Sequence, residues 1–201
     1  MNDALPLSVV IVTLNEEANL PRCLASVRRL ASQIVVVDSG STDRTRGIAE
    51  AAGAEFVVRP WEGYVAQGNA ALALATHDWV LALDADEQVS PGLDAAIRAV
   101  MASGAPARDA YFVNRLTWYL GDWIRHAWYP EWRLRFVRRD RACWKGQDPH
   151  GAIVTSGTTG RLDGHLHHYS YTDLRDHFTR VLRYAPIAAD ARIRSGRPVR
   201  W

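Results

Sequence analysis

Three carboxylates fall within four residues at Asp84-Ala85-Asp86-Glu87, directly after the apolar run Trp79-Val80-Leu81-Ala82-Leu83. An apolar run of this length reads as a buried strand of a parallel sheet. Ligands of open α/β sheets gather at the carboxyl ends of such strands. Two aspartates separated by one small residue can direct oxygens at a hard divalent cation, which keeps coordination positions for substrate phosphates. Alone, the same residues also describe an acidic loop, because short motifs match by chance. A second group with chemical capacity is Asp148-Pro149-His150-Gly151, a rigid turn that offers one carboxylate and one imidazole. A third is His165, His167 and His168, where strand alternation puts His165 and His167 on one face. Zinc would need a fourth ligand, and no spacing supplies one.

The elements around the acidic cluster follow a regular pattern. Residues 7–13, 34–37, 55–58 and 78–83 read as short buried strands rich in Val, Ile and Leu. Helices fall between them: one capped by Asn19 with Pro21 in its first turn, one capped by Thr42 or Asp43, and an Ala-rich one over residues 64–75. Four strand–helix alternations predict a parallel sheet with right-handed crossovers and helices on both faces. Three strand ends then share one edge: Asn15-Glu16-Glu17, Asp38-Ser39-Gly40-Ser41 and Asp84-Ala85-Asp86. No G-x-G-x-x-G or Walker sequence follows any strand, so a Rossmann dinucleotide site is excluded. Val37-Asp38-Ser39-Gly40 could pass for the acidic strand end of a methyltransferase, but Thr13-Leu14-Asn15-Glu16 stands where its glycine loop would be. Pyrophosphate recognition is therefore expected from a metal and from basic side chains.

The 201 residues suffice for one full-sized domain, and 48% hydrophobic with 23% charged residues describes an ordinary globular protein. Two distant cysteines, Cys23 and Cys143, suggest a reducing cytosol rather than a disulfide scaffold. Neither a signal peptide nor a membrane span is expected. Charge is uneven: residues 1–100 hold 7 basic and 13 acidic side chains, residues 101–201 hold 17 and 9. A cation suits the first half as a partner, and an anion or anionic surface suits the second.

In the second half, Ser90 can cap a helix over residues 91–101, and residues 110–113 read as a strand. Five of the eight tryptophans lie within residues 118–144, among Arg125, Arg133, Arg135, Arg138, Arg139, Arg141 and Lys145. Interleaved aromatic and basic residues suit nucleic acid, or a sugar-phosphate acceptor at a membrane surface. They also occur as core tryptophans beside a solvated arginine face. Alternation over residues 131–138 puts Trp132, Leu134 and Phe136 on one face of a strand. Residues 171–185 read as a helix with Leu174, Phe178, Val181 and Leu182 on one stripe. Its other face continues as a basic tail, suited to peripheral membrane contact or to simple solvation.

The segments Ser8-Val9-Val10-Ile11-Val12-Thr13-Leu14-Asn15-Glu16-Glu17, Val35-Val36-Val37-Asp38-Ser39-Gly40-Ser41-Thr42-Asp43 and Leu83-Asp84-Ala85-Asp86-Glu87 resemble, in order and spacing, three signatures of glycosyltransferase family 2. The resemblance covers nearly the whole chain. It implies an α/β GT-A fold, with a mainly parallel, Rossmann-like sheet flanked by helices, and an inverting sugar-nucleotide enzyme. It implies a nucleotide-sugar site of Thr13, Leu14, Asn15, Glu17, Asp38, Gln67, Asn69, Asp84, Ala85 and Asp86. In it, Asp38 contacts the base, and Asp84 and Asp86 stand at the ribose and at a Mg²⁺ or Mn²⁺ ion on the diphosphate. The regions 128–150 and 164–171 are similar to a narrower group, the bacterial lipopolysaccharide-core β-glycosyltransferases. That group usually carries His-Glu where this chain has His150-Gly151. With no carboxylate at 151, Asp148 is the first candidate for the general base and Glu131 the second, and His150 is a candidate for the pyrophosphate, the metal or the loop.

The expectation is one GT-A domain, with residues 1–104 binding the nucleotide sugar and residues 105–201 the acceptor. The donor is expected to be a nucleoside diphosphate sugar, with UDP favoured. The acceptor is expected to be a phosphorylated glycolipid at the cytoplasmic face of the inner membrane, and nucleic acid is not an expected partner. A sugar-nucleotide-forming nucleotidyltransferase would need a Gly/Arg-rich loop after the first strand, which Leu14-Asn15-Glu16-Glu17 does not supply. A nucleic-acid-binding protein would leave the acidic strand ends unexplained.

Overall fold

The computed structural model describes residues 4–104, 106–148, 151–171, 173–194 and 196. The first half alternates as the sequence predicts: β1 (Leu5–Thr13), α1 (Leu20–Val27), β2 (Ala31–Asp38), α2 (Thr45–Ala51), β3 (Glu55–Val58), α3 (Tyr64–Leu74) and β4 (Trp79–Asp84). Then follow β5 (Glu87–Val89), α4 (Pro91–Ala102), β6 (Ala110–Tyr119), β7 (Asp122–Trp123), β8 (Glu131–Arg138), β9 (Ala142–Lys145), β10 (Ala152–Thr155), β11 (Thr159–His168) and α5 (Leu174–Arg194).

One sheet organises the molecule, in the order β3-β2-β1-β4-β8-β6-β11-β5, with β7 paired to β6 and a separate β9–β10 ribbon. Strands β3, β2, β1 and β4 run parallel, as expected. Beyond β4 the sheet becomes mixed: β8 is antiparallel to both β4 and β6, whereas β11 is parallel to β6. The α/β class therefore holds, but parallel pairing dominates only the first half.

Strand β1 shows why the sheet is buried on both faces. Leu7, Val9 and Ile11 join the core under α1, α2 and α4, while Val10 joins the one under α3. Each such aliphatic side chain contributes about 1.5–3 kcal/mol of burial. Ser90 caps α4 as expected, accepting from the Leu93 N–H at 3.2 Å. Asn19 makes no side-chain cap on α1; its amide donates to Glu16 Oε2 at 2.9 Å instead.

Two expectations for the second half change. Tyr111 pairs with Phe136 but Phe112 with Leu134, so β8 holds one extra residue, Arg135. A bulge re-aims the side chains that follow it. Leu134 and Phe136 consequently enter cores on opposite sides of the sheet rather than sharing a face, and Arg135 is buried. The last helix begins later and runs further than its sequence pattern suggests, from Leu174 through Pro186 to Arg194. Its expected stripe is not buried: Phe178 is 66% and Leu182 75% exposed.

Candidate active site

Register brings the chemistry together. Strand β11 pairs antiparallel with β5, setting His168 opposite Glu87. The Tyr169 N–H then donates to the Asp86 carbonyl at 2.9 Å, pinning the acidic turn to the end of β11. His168 Nε2 lies 3.5 Å from Asp86 Oδ2, and both side chains are 13% exposed. Burial raises the Asp86 pKa, but His168, Arg180 and Arg115 outweigh it and hold the carboxyl below its usual range. The Ser170 hydroxyl lies 2.9 Å from the same Nε2, so the imidazole stands between Asp86 and Ser170.

The three carboxylates of the acidic cluster do different work. Glu87 is fully buried: its Oε2 accepts from the Asp84 N–H at 2.9 Å, closing the turn, and its Oε1 accepts from Arg135 Nη2 at 3.1 Å and Arg115 Nη1 at 3.4 Å. Burial raises its pKa, against the pull of the two arginines. Asp84 Oδ2 accepts from the same Arg135 at 2.6 Å. Asp86 lines a cavity of about 250 Å³ with His168, Ser170, Tyr171, Arg180 and Val181. Arg180 is anchored by Asp176 at 3.1 Å.

A second cavity of about 400 Å³ adjoins the first through His168, Ser170 and Tyr171 and reaches Glu131. Glu131 forms a bidentate pair with Arg115 (2.7 and 2.8 Å) and accepts from Arg133 at 2.5 Å. Burial raises its pKa, yet these two guanidiniums bring it down to about 2. Asp84, Arg135, Glu87, Arg115, Glu131 and Arg133 thus form one chain of alternating charge from the end of β4 to the second cavity.

The strand-end loops of the first half brace one another. Asn15, in left-handed backbone (φ 54°), donates its N–H to Ser41 Oγ at 2.7 Å and accepts from the Thr42 N–H at 2.9 Å. Glu17 accepts from the Arg44 N–H at 3.1 Å, while the Glu17 N–H donates to Asp43. The buried Asp38 carboxylate accepts from its own turn, from the N–H groups of Gly40 and Ser41 at 2.7 Å each and from the Ser41 hydroxyl. Thr13 pairs with Asp38 in register, Leu14 is exposed, and Ala85 is buried. Gln67 donates to Ser39 Oγ at 3.0 Å, while its buried Oε1 and the Thr13 hydroxyl have no hydrogen-bond partner.

Not every candidate joins this end of the sheet. Asn69 is spent on the Trp144 backbone, donating to its carbonyl at 3.0 Å and accepting from its N–H at 2.8 Å. Asp148 accepts from the Val65 N–H at 3.2 Å, at the start of α3. Its Oδ2 would lie 2.0 Å from any Cβ at Gly63, whose φ of 109° already favours glycine. A Cβ at Gly151 would lie 2.6 Å from Val65 Cγ2, so a side chain there would have to displace Val65. His150 lies outside the described residues. Conversely, Arg115, Arg135 and Arg180 are not named as site residues from sequence, and His168 stands only as one of three histidines weighed for a metal. Arg135 carried a signal, a lone charge within the apolar run Leu134–Val137.

Among the described residues no three His, Cys, Asp or Glu side chains converge as a ready-made metal cage. The donor set still fits a divalent ion of the kind that takes one or two protein ligands and completes its shell with water and phosphate. Asp86 with His168 meets that description; Asp84, held by Arg135, meets it less well.

Residues 8–158 match the profile of glycosyl transferase family 2. The chain is 33% identical to the lipopolysaccharide core biosynthesis glycosyltransferase LpsC of Rhizobium meliloti, over 98% of this chain and 75% of that protein. It is 32% identical to the uncharacterized glycosyltransferase RT0209 of Rickettsia typhi, over 95% of this chain and 69% of that one. Among solved structures, S. aureus TarS superposes with a TM-score of 0.50 at 21% identity, over 66% of this chain and 28% of TarS. With its mixed sheet flanked by helices and its acidic turn at the end of β4, the chain has a GT-A fold and belongs to glycosyl transferase family 2.

Proposed function

We propose that the protein transfers a sugar from a UDP-linked donor to a hydroxyl of a lipopolysaccharide-core or other lipid-linked glycan, with inversion at the anomeric carbon. One observation carries this: Asp86 and Glu131 line two adjoining cavities that share His168, Ser170 and Tyr171. A departing diphosphate needs positive charge beside it, and an attacking hydroxyl needs a carboxylate within reach. The relative named for lipopolysaccharide core biosynthesis directs the choice of acceptor. No helix among the described residues is long and apolar enough to cross a membrane.

Asp86 and His168 would hold Mg²⁺ or Mn²⁺. That ion, when bound, offsets charge developing on the diphosphate. Arg180 adds a fixed cation over the same cavity. Thr13, Asn15, Asp38 and Gln67 shape the nucleoside seat from the neighbouring loops. During transfer the acceptor oxygen bonds to the anomeric carbon, the bond from that carbon to the diphosphate oxygen breaks, and the hydroxyl proton passes to a carboxylate. We assign that role to Glu131, which lines the larger cavity, ahead of Asp148, whose Oδ1 accepts from the Val65 N–H.

Nucleotide release from a panel of sugar nucleotides, with and without Mn²⁺ or Mg²⁺ and with a lipopolysaccharide-core acceptor, tests the proposal. We expect metal-dependent release that falls about 10²-fold or more in Asp86→Ala. Glu131→Gln should lose transfer while retaining UDP binding, and Asp148→Asn should retain transfer. The reverse pattern moves the proton to Asp148, and no release from any sugar nucleotide sinks the proposal.

A further inference from the structure

The 400 Å³ cavity has an unusual wall. Trp128, Tyr129 and Tyr171 supply its aromatic surface, and Arg115, Glu131 and Ser170 its polar groups. Trp128 is 55% exposed, a costly placement for the largest apolar side chain. Its backbone is left-handed (φ 54°), a conformation that strains a bulky residue. Among the described residues its ring neighbours, Tyr119 and His177, stand at 6.1 and 6.5 Å with interplanar angles of 68° and 81°, so neither stacks parallel on the indole. Among the described residues three non-glycine positions have positive φ, namely Asn15, Leu120 and Trp128; Asn15 lies in the loop after β1, and the other two bound the segment that carries Trp128. Strain of this kind collects where a side chain must be presented rather than packed.

The geometry points to Trp128 as the stacking face for one pyranose ring of the acceptor, which makes it a specificity-determining residue for the glycan and not for the donor. This rests on the transfer reaction proposed above. An indole face is electron-rich, and the C–H face of a pyranose presents weakly positive hydrogens to it. A ring seated there would have Glu131 and the Arg115 guanidinium at its edge to receive hydroxyls. Volume and mixed lining fall within the range of sites that hold small ligands. Trp128 does not line the cavity that contains Asp86, so the two substrates are separable.

Calorimetric titration with a deacylated lipopolysaccharide-core oligosaccharide, without donor, tests the assignment. The wild type should bind; Trp128→Ala should weaken binding by about two- to tenfold, the loss of one aromatic contact. Trp128→Phe should recover most of the loss, because a ring face remains. Affinity for UDP with Mn²⁺ should stay within about twofold in both variants, which a merely structural role for Trp128 would not allow. An oligosaccharide that fails to bind the wild type, an unchanged affinity in Trp128→Ala, or a parallel loss of UDP binding would each overturn the assignment. Failure of the wild type to bind UDP with Mn²⁺ would instead strike the transfer reaction, whatever the oligosaccharide does.

Discussion

The two halves of this sheet are held together by different physics. Strands β1, β2 and β4 bury aliphatic side chains on both faces, and Val9, Ile11, Val35, Val36, Val80 and Leu81 have no exposed surface. Apart from the buried Ser8–Gln33 pair, their polar groups sit at the strand ends, where short side chains bind the backbone of the adjacent loop. Strands β6 and β8 instead carry Arg115, Glu131 and Arg135 into the interior, where they meet Glu87 and Asp84. The half proposed to bind the donor is thus backbone geometry on an apolar core, and the half proposed to bind the acceptor is a network of long charged side chains. Backbone turns brace the strand-end loops of the first; a charge network ties the acidic turn to Glu131 in the second.

The largest test of that contrast is Glu87→Ala. It would leave Arg135 and Arg115 without a shared buried counter-ion and free the Asp84 N–H. Among the described residues the buried Nε and Nη1 of Arg135 already lack hydrogen-bond partners, so little remains to compensate. Removing one member of a buried ion pair costs about 3–5 kcal/mol. Urea unfolding should show a loss of that size. Glu87→Gln, which keeps an acceptor and loses the charge, should fall between wild type and Glu87→Ala. A loss no larger than about 1 kcal/mol for Glu87→Ala would mean that the acceptor half, too, rests on apolar packing.

The same contrast explains what could be read from sequence. The strands of the donor half, the Ser90 cap and the placement of Asn15, Asp38 and Asp86 at one sheet edge follow from local apolar runs and short polar turns. The charge network does not, because its members lie far apart in sequence and meet only through register. A bulge at Arg135 breaks the alternation that assigned Trp132, Leu134 and Phe136 to one face, and no period-two pattern reveals it. His168 was visible as one of three histidines, but the pairing of β11 with β5 singles it out. The α5 stripe shows the converse: helical periodicity is present, yet Phe178 and Leu182 remain exposed.

A smaller effect is expected where the halves join. Ser90 Oγ accepts from the Leu93 N–H at the start of α4 and from the His165 N–H of β11 at 3.0 Å, while the Ser90 N–H donates to the His165 carbonyl at 3.2 Å. A helix cap alone is worth about 1 kcal/mol. Here one hydroxyl satisfies two N–H groups, so Ser90→Ala should cost about 1–2 kcal/mol. At about 2–4 °C per kcal/mol for a chain of this size, thermal unfolding should shift by roughly 2–8 °C. A shift below a degree would show that α4 and β11 hold their places without this joint.

The smallest effect separates charge from packing at Glu131. Its pKa falls from 4.5 to about 2 because Arg115 and Arg133 favour the charged form over the cost of burial. A folded-state pKa below the unfolded one stabilises the fold above about pH 4.5, and the gain is lost as pH falls toward 2. The stability difference between wild type and Glu131→Gln should therefore be full at pH 7 and shrink steadily below pH 4.5. Because Arg133 is largely exposed, salt should reduce the difference as well. Urea midpoints for both proteins at pH 7, 5, 4 and 3, each at low and high salt, measure it. A difference that ignores pH and salt would assign Glu131 to packing, and the charge chain from Asp84 would then end at Arg115.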